Sequence, residues 1–135
     1  MSITAFSGES LEMKQIEGAE DIQFNLPNVT IAREATVIRG IANDGAGYHV
    51  NGVYLASPEL GATEYFDIAR IEVLRGPQGT LYGRNTTAGV VNIVTQRPEE
   101  EWGGYFSATL GSYDTRKFHG AINIPITDNI RQRFA

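Results

Sequence analysis

The spacing of apolar residues changes along the chain, and the first 27 residues favour short helices. Residues 3–6 predict a short strand, and Ser7 stands where it can cap a helix over residues 8–16. A second short helix is predicted over residues 19–25, because Ile22 and Leu26 lie four positions apart and Pro27 stops the pattern.

From residue 28 onwards, apolar and polar positions alternate with the period of a β-strand. The Asn51-Gly52 pair favours a tight hairpin turn. Strands are predicted over residues 29–32, 36–39, 48–55 (folded at that turn), 71–75 and 90–95, with a Gly-rich loop over 76–89. The first hundred residues therefore predict a small α+β domain.

Residues 103–111 and 117–126 alternate strictly, so each run has one apolar face. Their length is close to the roughly 9–11 residues that a tilted membrane-spanning strand requires. Residues 125–129 can turn into a third strand at Ile130, which has barely begun at Ala135. The pattern favours a truncated β-barrel, with an ordinary soluble hairpin as the alternative.

Composition and charge exclude several classes of protein. The formal net charge of −5 argues against a general nucleic-acid binder. The chain has no cysteine, which excludes disulfide frameworks, thiolate zinc sites and cysteine nucleophiles. No apolar run approaches the roughly 18 residues of a spanning helix. The N-terminus shows no signal peptide, so either the protein stays inside or a targeting segment was removed.

No pattern for catalysis, for a metal or for a cofactor is found. The glycines of residues 76–89 have the wrong spacing for a phosphate-binding loop, and Gly83 is followed by Arg84 and Asn85 rather than Lys and Ser or Thr. His49 and His119 lie far apart without ligand spacing. The Gly-x-Ser-x-Gly nucleophile motif does not occur. We therefore expect no enzyme, no cofactor and no metal.

Five segments together resemble the plug domain of TonB-dependent outer-membrane receptors, and they occur in that family's order. They are Leu-Pro-Asn-Val at 26–29, Ile-Arg-Gly at 38–40, Asn-Gly-Val-Tyr at 51–54, RIEVLRGPQGTLYG at 70–83 and AGVVNIVT at 88–95. The motif residues of the central block are Gly76, Pro77, Leu81, Tyr82 and Gly83. Asn51 replaces the usual Asp, and the tracts 28–39 and 40–51 are shorter than usual, which implies a reduced ligand-facing surface.

The resemblance implies a plug over residues 1–98, with a short mixed β-sheet, short helices and long Gly-rich loops. Residues 99–135 would then be an antiparallel hairpin that begins a transmembrane β-barrel. Arg39 and Arg75, from the Ile-Arg-Gly and Leu-Arg-Gly-Pro motifs, are implied to pair with barrel glutamates. A guanidinium suits this role because its planar fork binds a carboxylate bidentately and stays charged.

The family also implies a substrate and partners. Two outward loops, about residues 43–49 and 56–60, would face the ligand, through Asn43, Asp44, Gly45, Tyr48, His49, Ser57 and Glu59. The implied partners are the barrel of the same receptor, TonB through an N-terminal box absent from this chain, the outer membrane, and a siderophore, cobalamin or similar nutrient. Such a fragment would not transport alone. The alternative is a free-standing periplasmic binding or interaction module with the plug fold.

Overall fold

The computed structural model describes residues 2–16, 18–32, 35–41, 45–55, 66–112, 114–127 and 129–135. The chain divides into two compact units, Met1–Thr95 and Gln96–Ala135. Within the described residues, no helix combines the length and the apolar character needed to cross a lipid bilayer. The division lies close to the predicted boundary at 98/99, whose assignment to plug and barrel stays a prediction.

The first unit contains seven strands and three short helices in its described part. They are β1 (Ser2–Ser7), α1 (Gly8–Met13), α2 (Ala19–Ile22), β2 (Val29–Ala32), β3 (Ala35–Ile38), β4 (Ala46–Val50), β5 (Val53–Leu55), β6 (Ile68–Arg75), α3 (Gly79–Tyr82) and β7 (Gly89–Thr95). Five strands form one sheet in the order β1-β6-β7-β4-β5. The β4–β7 pair is parallel and the other pairs are antiparallel, so the predicted mixed sheet is confirmed.

The helices begin where predicted but end earlier. Ser7 Oγ accepts a hydrogen bond from the Ser10 backbone N–H at 3.3 Å, which caps α1. The predicted helix over 8–16 stops at Met13, because Gln15 adopts a left-handed backbone conformation with φ of 52°. The second predicted helix divides into α2 and a 3₁₀ turn over Gln23–Asn25.

The hairpin between β4 and β5 has the geometry that its sequence predicts. Asn51 and Gly52 have φ of 51° and 82°, and both central residues of a type I′ turn require positive φ. The Asn51 side chain also accepts a hydrogen bond from the Thr95 backbone N–H at 3.1 Å, so the turn is tied to the end of β7.

The core of the first unit lies on one face of the sheet. The helices and the β2–β3 hairpin contribute apolar side chains that pack against those of β1, β4, β6 and β7. Its buried members are Phe6, Leu11, Ile16, Ile22, Leu26, Val29, Ile31, Ile38, Tyr48, Ile71, Val73, Ala88 and Val91. Burial of these side chains drives the folding of this unit.

The segment over 76–89 packs against strand β4 and carries a short helix that the sequence analysis missed. This helix, α3, is followed by Gly83, whose φ of 78° favours glycine. The Gln78 backbone N–H donates to the Thr86 carbonyl oxygen at 2.9 Å, which closes the segment on itself. Both Gln78 and Thr86 are buried.

The second unit is an antiparallel sheet in the order β10-β9-β8, with β8 over Gly103–Leu110, β9 over Arg116–Thr127 and β10 over Ile130–Phe134. The predicted third strand at Ile130 is therefore confirmed. Every residue of β8 is exposed. One face carries large apolar side chains that remain open: Phe106 is 75% exposed, Leu110 75% and Phe118 62%.

Candidate functional site

Arg75 lies at the end of β6 and is bound by neutral oxygens of its own chain. Its Nη2 donates to Ser2 Oγ at 2.9 Å and to Thr4 Oγ1 at 3.2 Å. Its Nη1 makes a longer contact of 3.4 Å with the Pro27 carbonyl oxygen. Its Nε is buried and has no acceptor among the described residues. The guanidinium is therefore oriented but keeps an unused donor.

Arg39 is the second predicted arginine, and it directly follows the end of β3. Its backbone is left-handed, with φ of 53°, and its N–H donates to the Asn28 carbonyl oxygen at 2.9 Å. Its Nη1 lies 3.9 Å from the position that a Cβ on Gly76 would occupy. The Arg39 guanidinium therefore lies close to the residue that directly follows Arg75 in the chain.

Neither arginine forms an ion pair with a carboxylate of the described residues. Ion pairs found there include those of Arg70 with Glu72, Arg116 with Asp114 and Arg131 with Glu100. A guanidinium without a charged partner can bind a carboxylate bidentately, because its N–H donors form a planar fork. The arrangement is chemically suited to bind a carboxylate from outside the unit.

The prediction that Tyr48 and His49 lie in an outward loop is wrong, because both are buried in β4. Tyr48 is 3% exposed and points into the core, where its hydroxyl lies 2.6 Å from Thr36 Oγ1. Burial raises the pKa of Tyr48, and the hydrogen bond with Thr36 opposes this rise. Gly45 is buried too, since a Cβ there would lie 2.7 Å from Ile41 Cγ2. None of the three is available to a ligand at the surface of this unit.

His49 points to the opposite face of the sheet, beneath the 76–89 segment. It is 1% exposed, and its Nε2 donates to the Tyr82 carbonyl oxygen at 3.3 Å, since a carbonyl can only accept. The rings of Tyr54 and Tyr82 contact the imidazole edge to face, at 5.5 and 4.9 Å. Asn85 Nδ2 donates to the Tyr54 hydroxyl at 2.8 Å. This histidine therefore anchors the segment that carries the predicted motif.

The motif residues themselves differ in their surroundings. Gly76 is buried with φ of 111°, and its N–H donates to the Ala88 carbonyl oxygen at 2.8 Å. Pro77 and Gly83 are exposed, and Leu81 is 77% exposed. The remaining predicted ligand residues Asn43, Asp44, Ser57 and Glu59 lie outside the described residues.

A polar network that the sequence analysis missed crosses the sheet at Asn92. Its Nδ2 donates to Glu72 Oε2 at 3.0 Å, and its Oδ1 accepts from the Gly52 backbone N–H at 3.2 Å. Arg70 Nε donates to Glu72 Oε1 at 2.6 Å. The signal in the sequence was a polar residue within the apolar run Val90-Val91-Asn92-Ile93.

Acid is expected to weaken this network through Glu72. The hydrogen bond from Asn92, assisted by Arg70, lowers the pKa of Glu72 below its ordinary value. The contribution of Glu72 to the free energy of unfolding is therefore present above its unfolded-state pKa. It is lost as the pH falls through its folded-state pKa. Urea midpoints measured between pH 7 and 3 should fall less steeply for Glu72→Gln than for the wild type. The exposed Glu12→Gln variant should match the wild type, and a Glu72→Gln profile parallel to the wild type would contradict the prediction.

Comparison with known proteins gives one family match and several relatives. A family model described as the TonB-dependent Receptor Plug Domain matches residues 1–90. The pesticin receptor of Yersinia pestis is 28% identical over 145 residues, which cover 96% of this chain and 21% of that protein. The vitamin B12 transporter of Vibrio vulnificus is 29% identical over 124 residues, which cover 82% of this chain and 20% of that protein.

The solved structures give the same result. The crystal structure of the ferric yersiniabactin uptake receptor from Yersinia pestis superimposes with a TM-score of 0.86 at 26% identity. This match covers 98% of the present chain and 23% of that receptor. The chain spans about a fifth of the length of the curated relatives it matches.

Proposed function

Because the chain belongs to the plug-domain family of TonB-dependent receptors, we propose that it gates an outer-membrane receptor that takes up a scarce nutrient. Residues 1–98 are the plug, and residues 99–135 begin the barrel that surrounds it. The family match over residues 1–90 is the observation that carries this proposal.

The substrate class that we propose is a siderophore, cobalamin or a similar metal chelate. The names of the relatives support it, since they include a vitamin B12 transporter and a ferric yersiniabactin uptake receptor. TonB is the proposed energy-coupling partner, acting through a box that precedes the plug.

The exposed apolar face of the second unit supports the barrel assignment. Phe106 and Phe118 stack on this face with ring centroids 6.3 Å apart, and both remain largely exposed. A hydrocarbon environment favours such a face, whereas water disfavours it. The opposite face carries Lys117 and His119, the alternation of a strand with lipid on one side and a polar lumen on the other.

A permeability experiment tests the gating role. In cells that make a receptor from the complete reading frame around this chain, deletion of residues 1–95 should let a large hydrophilic antibiotic enter. The deletion strain should become sensitive at concentrations that the parent strain survives. Equal sensitivity of parent and deletion strains would refute gating.

The two arginines provide a second test of the gating proposal, at the level of individual side chains. Arg39 and Arg75 are the proposed contacts to barrel carboxylates, and loss of one partner of a buried charge pair costs about 2–5 kcal/mol. The double variant Arg39→Gln, Arg75→Gln in the same receptor should therefore raise antibiotic entry at least about tenfold.

Arg84 offers the matched control. Its guanidinium is exposed and lies over the Tyr54 ring, 5.2 Å from the centroid. Arg84→Gln removes the same charge from the same unit and should leave entry at the parental rate. Equal antibiotic entry in the control and in the double variant would refute a specific role of Arg39 and Arg75.

The alternative function is a free-standing periplasmic binding module with the plug fold. The encoding reading frame separates the two functions. Hundreds of further codons after Ala135 favour the receptor, whereas a native stop codon favours the module.

A further inference from the structure

The orientation of Arg75 depends mainly on the sheet-edge strand β1. Of its three described acceptors, Ser2 Oγ and Thr4 Oγ1 belong to β1, and their distances are the two shorter ones. The third acceptor, the Pro27 carbonyl oxygen, precedes β2. Ser2 lies directly opposite Arg75 in the β1–β6 register, so the same residues join the two strands through backbone and side chain.

Strand β1 is attached to the sheet on one side only. It pairs with β6 and ends the sheet order, so its other edge has no strand beside it among the described residues. Its amino-terminal half has little apolar burial, since Ile3 is 55% exposed while the buried Phe6 lies at the far end. Edge strands with few buried contacts separate from a fold at low free energy.

We propose that β1 is a detachable latch on Arg75, an inference that rests on the proposed plug function. While β1 is paired, the hydroxyls of Ser2 and Thr4 fix the guanidinium in one orientation for its carboxylate. When residues 2–4 leave β6, Arg75 loses two of its three described acceptors and reorients. A preorganised group binds its partner more tightly than a mobile one. Separation of β1 therefore weakens the contact between Arg75 and its barrel carboxylate, which we call the anchor.

The position of β1 near the amino terminus makes its pairing sensitive to a force applied to the preceding part of the polypeptide. A force on the amino-terminal side of β1 reaches Ser2 first, and Ser2 Oγ accepts the shortest of the described hydrogen bonds that Arg75 donates. The contact that orients the anchor is therefore among the first that such a force breaks. Residues 2–4 can leave β6 while Phe6 stays in the core, so weakening of the Arg75 contact does not require unfolding of the core.

Hydrogen exchange on the 135-residue chain tests the contact from the side of β1. Arg75→Gln should raise the exchange of the β1 backbone amides at least about tenfold, since two hydrogen bonds from a charged donor are lost. Arg70→Gln is the matched control. Arg70 lies opposite Ser7 at the other end of the same pairing, and its Nε donates to Glu72 of its own strand. The control should leave exchange near Ser2 and Thr4 at the wild-type rate.

Nitrogen-15 NMR of the arginine side chains tests the contact from the side of Arg75. In the Ser2→Ala, Thr4→Val variant, rotation about the Arg75 Cζ–Nη bonds should accelerate at least about tenfold, while the amides of β7 keep their protection. A double-mutant cycle between Thr4→Val and Arg75→Gln should show coupling, because the two residues share one hydrogen bond.

Equal effects of Arg75→Gln and Arg70→Gln on β1, or a cycle without coupling, would overturn the latch. These measurements use the isolated chain and need no barrel carboxylate. If they succeed while the antibiotic-entry test fails, the proposed function is wrong although β1 and Arg75 support each other. If antibiotic entry responds to the arginines but the cycle shows no coupling, the anchor exists without the latch.

Discussion

Gly89→Ala is expected to destabilise the first unit by about 3 kcal/mol or more, the upper end for overpacking of a close-packed interior. A Cβ at this position would overlap the Leu74 backbone carbonyl oxygen and lie 3.1 Å from Ile38 Cδ1 and 3.4 Å from Arg75 Cα. Two of these three atoms belong to the backbone of β6, which cannot move without breaking its pairing with β7. The loss is a large share of the roughly 5–15 kcal/mol that stabilises a typical domain.

Urea unfolding followed by circular dichroism, with amide exchange in β6 and β7, measures this effect. Gly103→Ala is the control, since a Cβ there meets no atom within 4 Å. It should change the free energy of unfolding by less than about 0.5 kcal/mol. Similar losses of unfolding free energy for the two variants would show that the close approach of β6 and β7 does not require a glycine at position 89.

Asn123→Asp is expected to detach residues 99–101 from the second sheet. Asn123 is fully buried, and its Oδ1 accepts from the Glu99 backbone N–H at 2.8 Å. Its Nδ2 donates to the carbonyl oxygens of Glu99 and Glu101 at 2.9 and 2.6 Å. A carboxylate has the same shape but no donor, so the carbonyl oxygens of Glu99 and Glu101 would face a buried negative charge. The cost is about 3 kcal/mol or more.

The measurement is exchange of the Glu99 backbone amide in the 135-residue chain, held in detergent micelles that cover the apolar face. Exchange should rise at least about 100-fold at neutral pH. Acid should restore part of the protection, because a protonated Asp regains one donor. Asn129→Asp, at an exposed turn of the same unit, is the control and should change little. Unchanged Glu99 exchange in Asn123→Asp would contradict the prediction.

Local patterns predicted most of the strands and the first helix cap. A run rich in β-branched residues located β7, alternation located β9, and Asn51-Gly52 specified its turn, because these signals act between neighbours in sequence. The resemblance at residues 70–83 correctly identified the family. The helix α3 was missed because four residues inside a Gly-rich loop carry no periodicity.

Residues whose surroundings come from distant parts of the chain were not predicted. The burial of Tyr48 depends on Thr36 and the core, and that of His49 on the segment around Tyr82, which is 33 positions away. The supports of Arg75 lie 71 and 73 positions before it. Alternation shows that a strand has two faces, but it does not show what covers each of them.

The pairing of the first strand with the sixth has a consequence for biosynthesis. Ser2 and Arg75 are 73 positions apart, so an emerging nascent chain exposes β1 before its partner strand β6 exists. At about 5–20 residues per second of synthesis, this interval is about 4–15 s. The parallel β4–β7 pair also joins strands that are distant in the chain, and such non-local pairings form slowly. A holding chaperone that binds the unpaired amino-terminal strand during secretion would protect the chain in this interval.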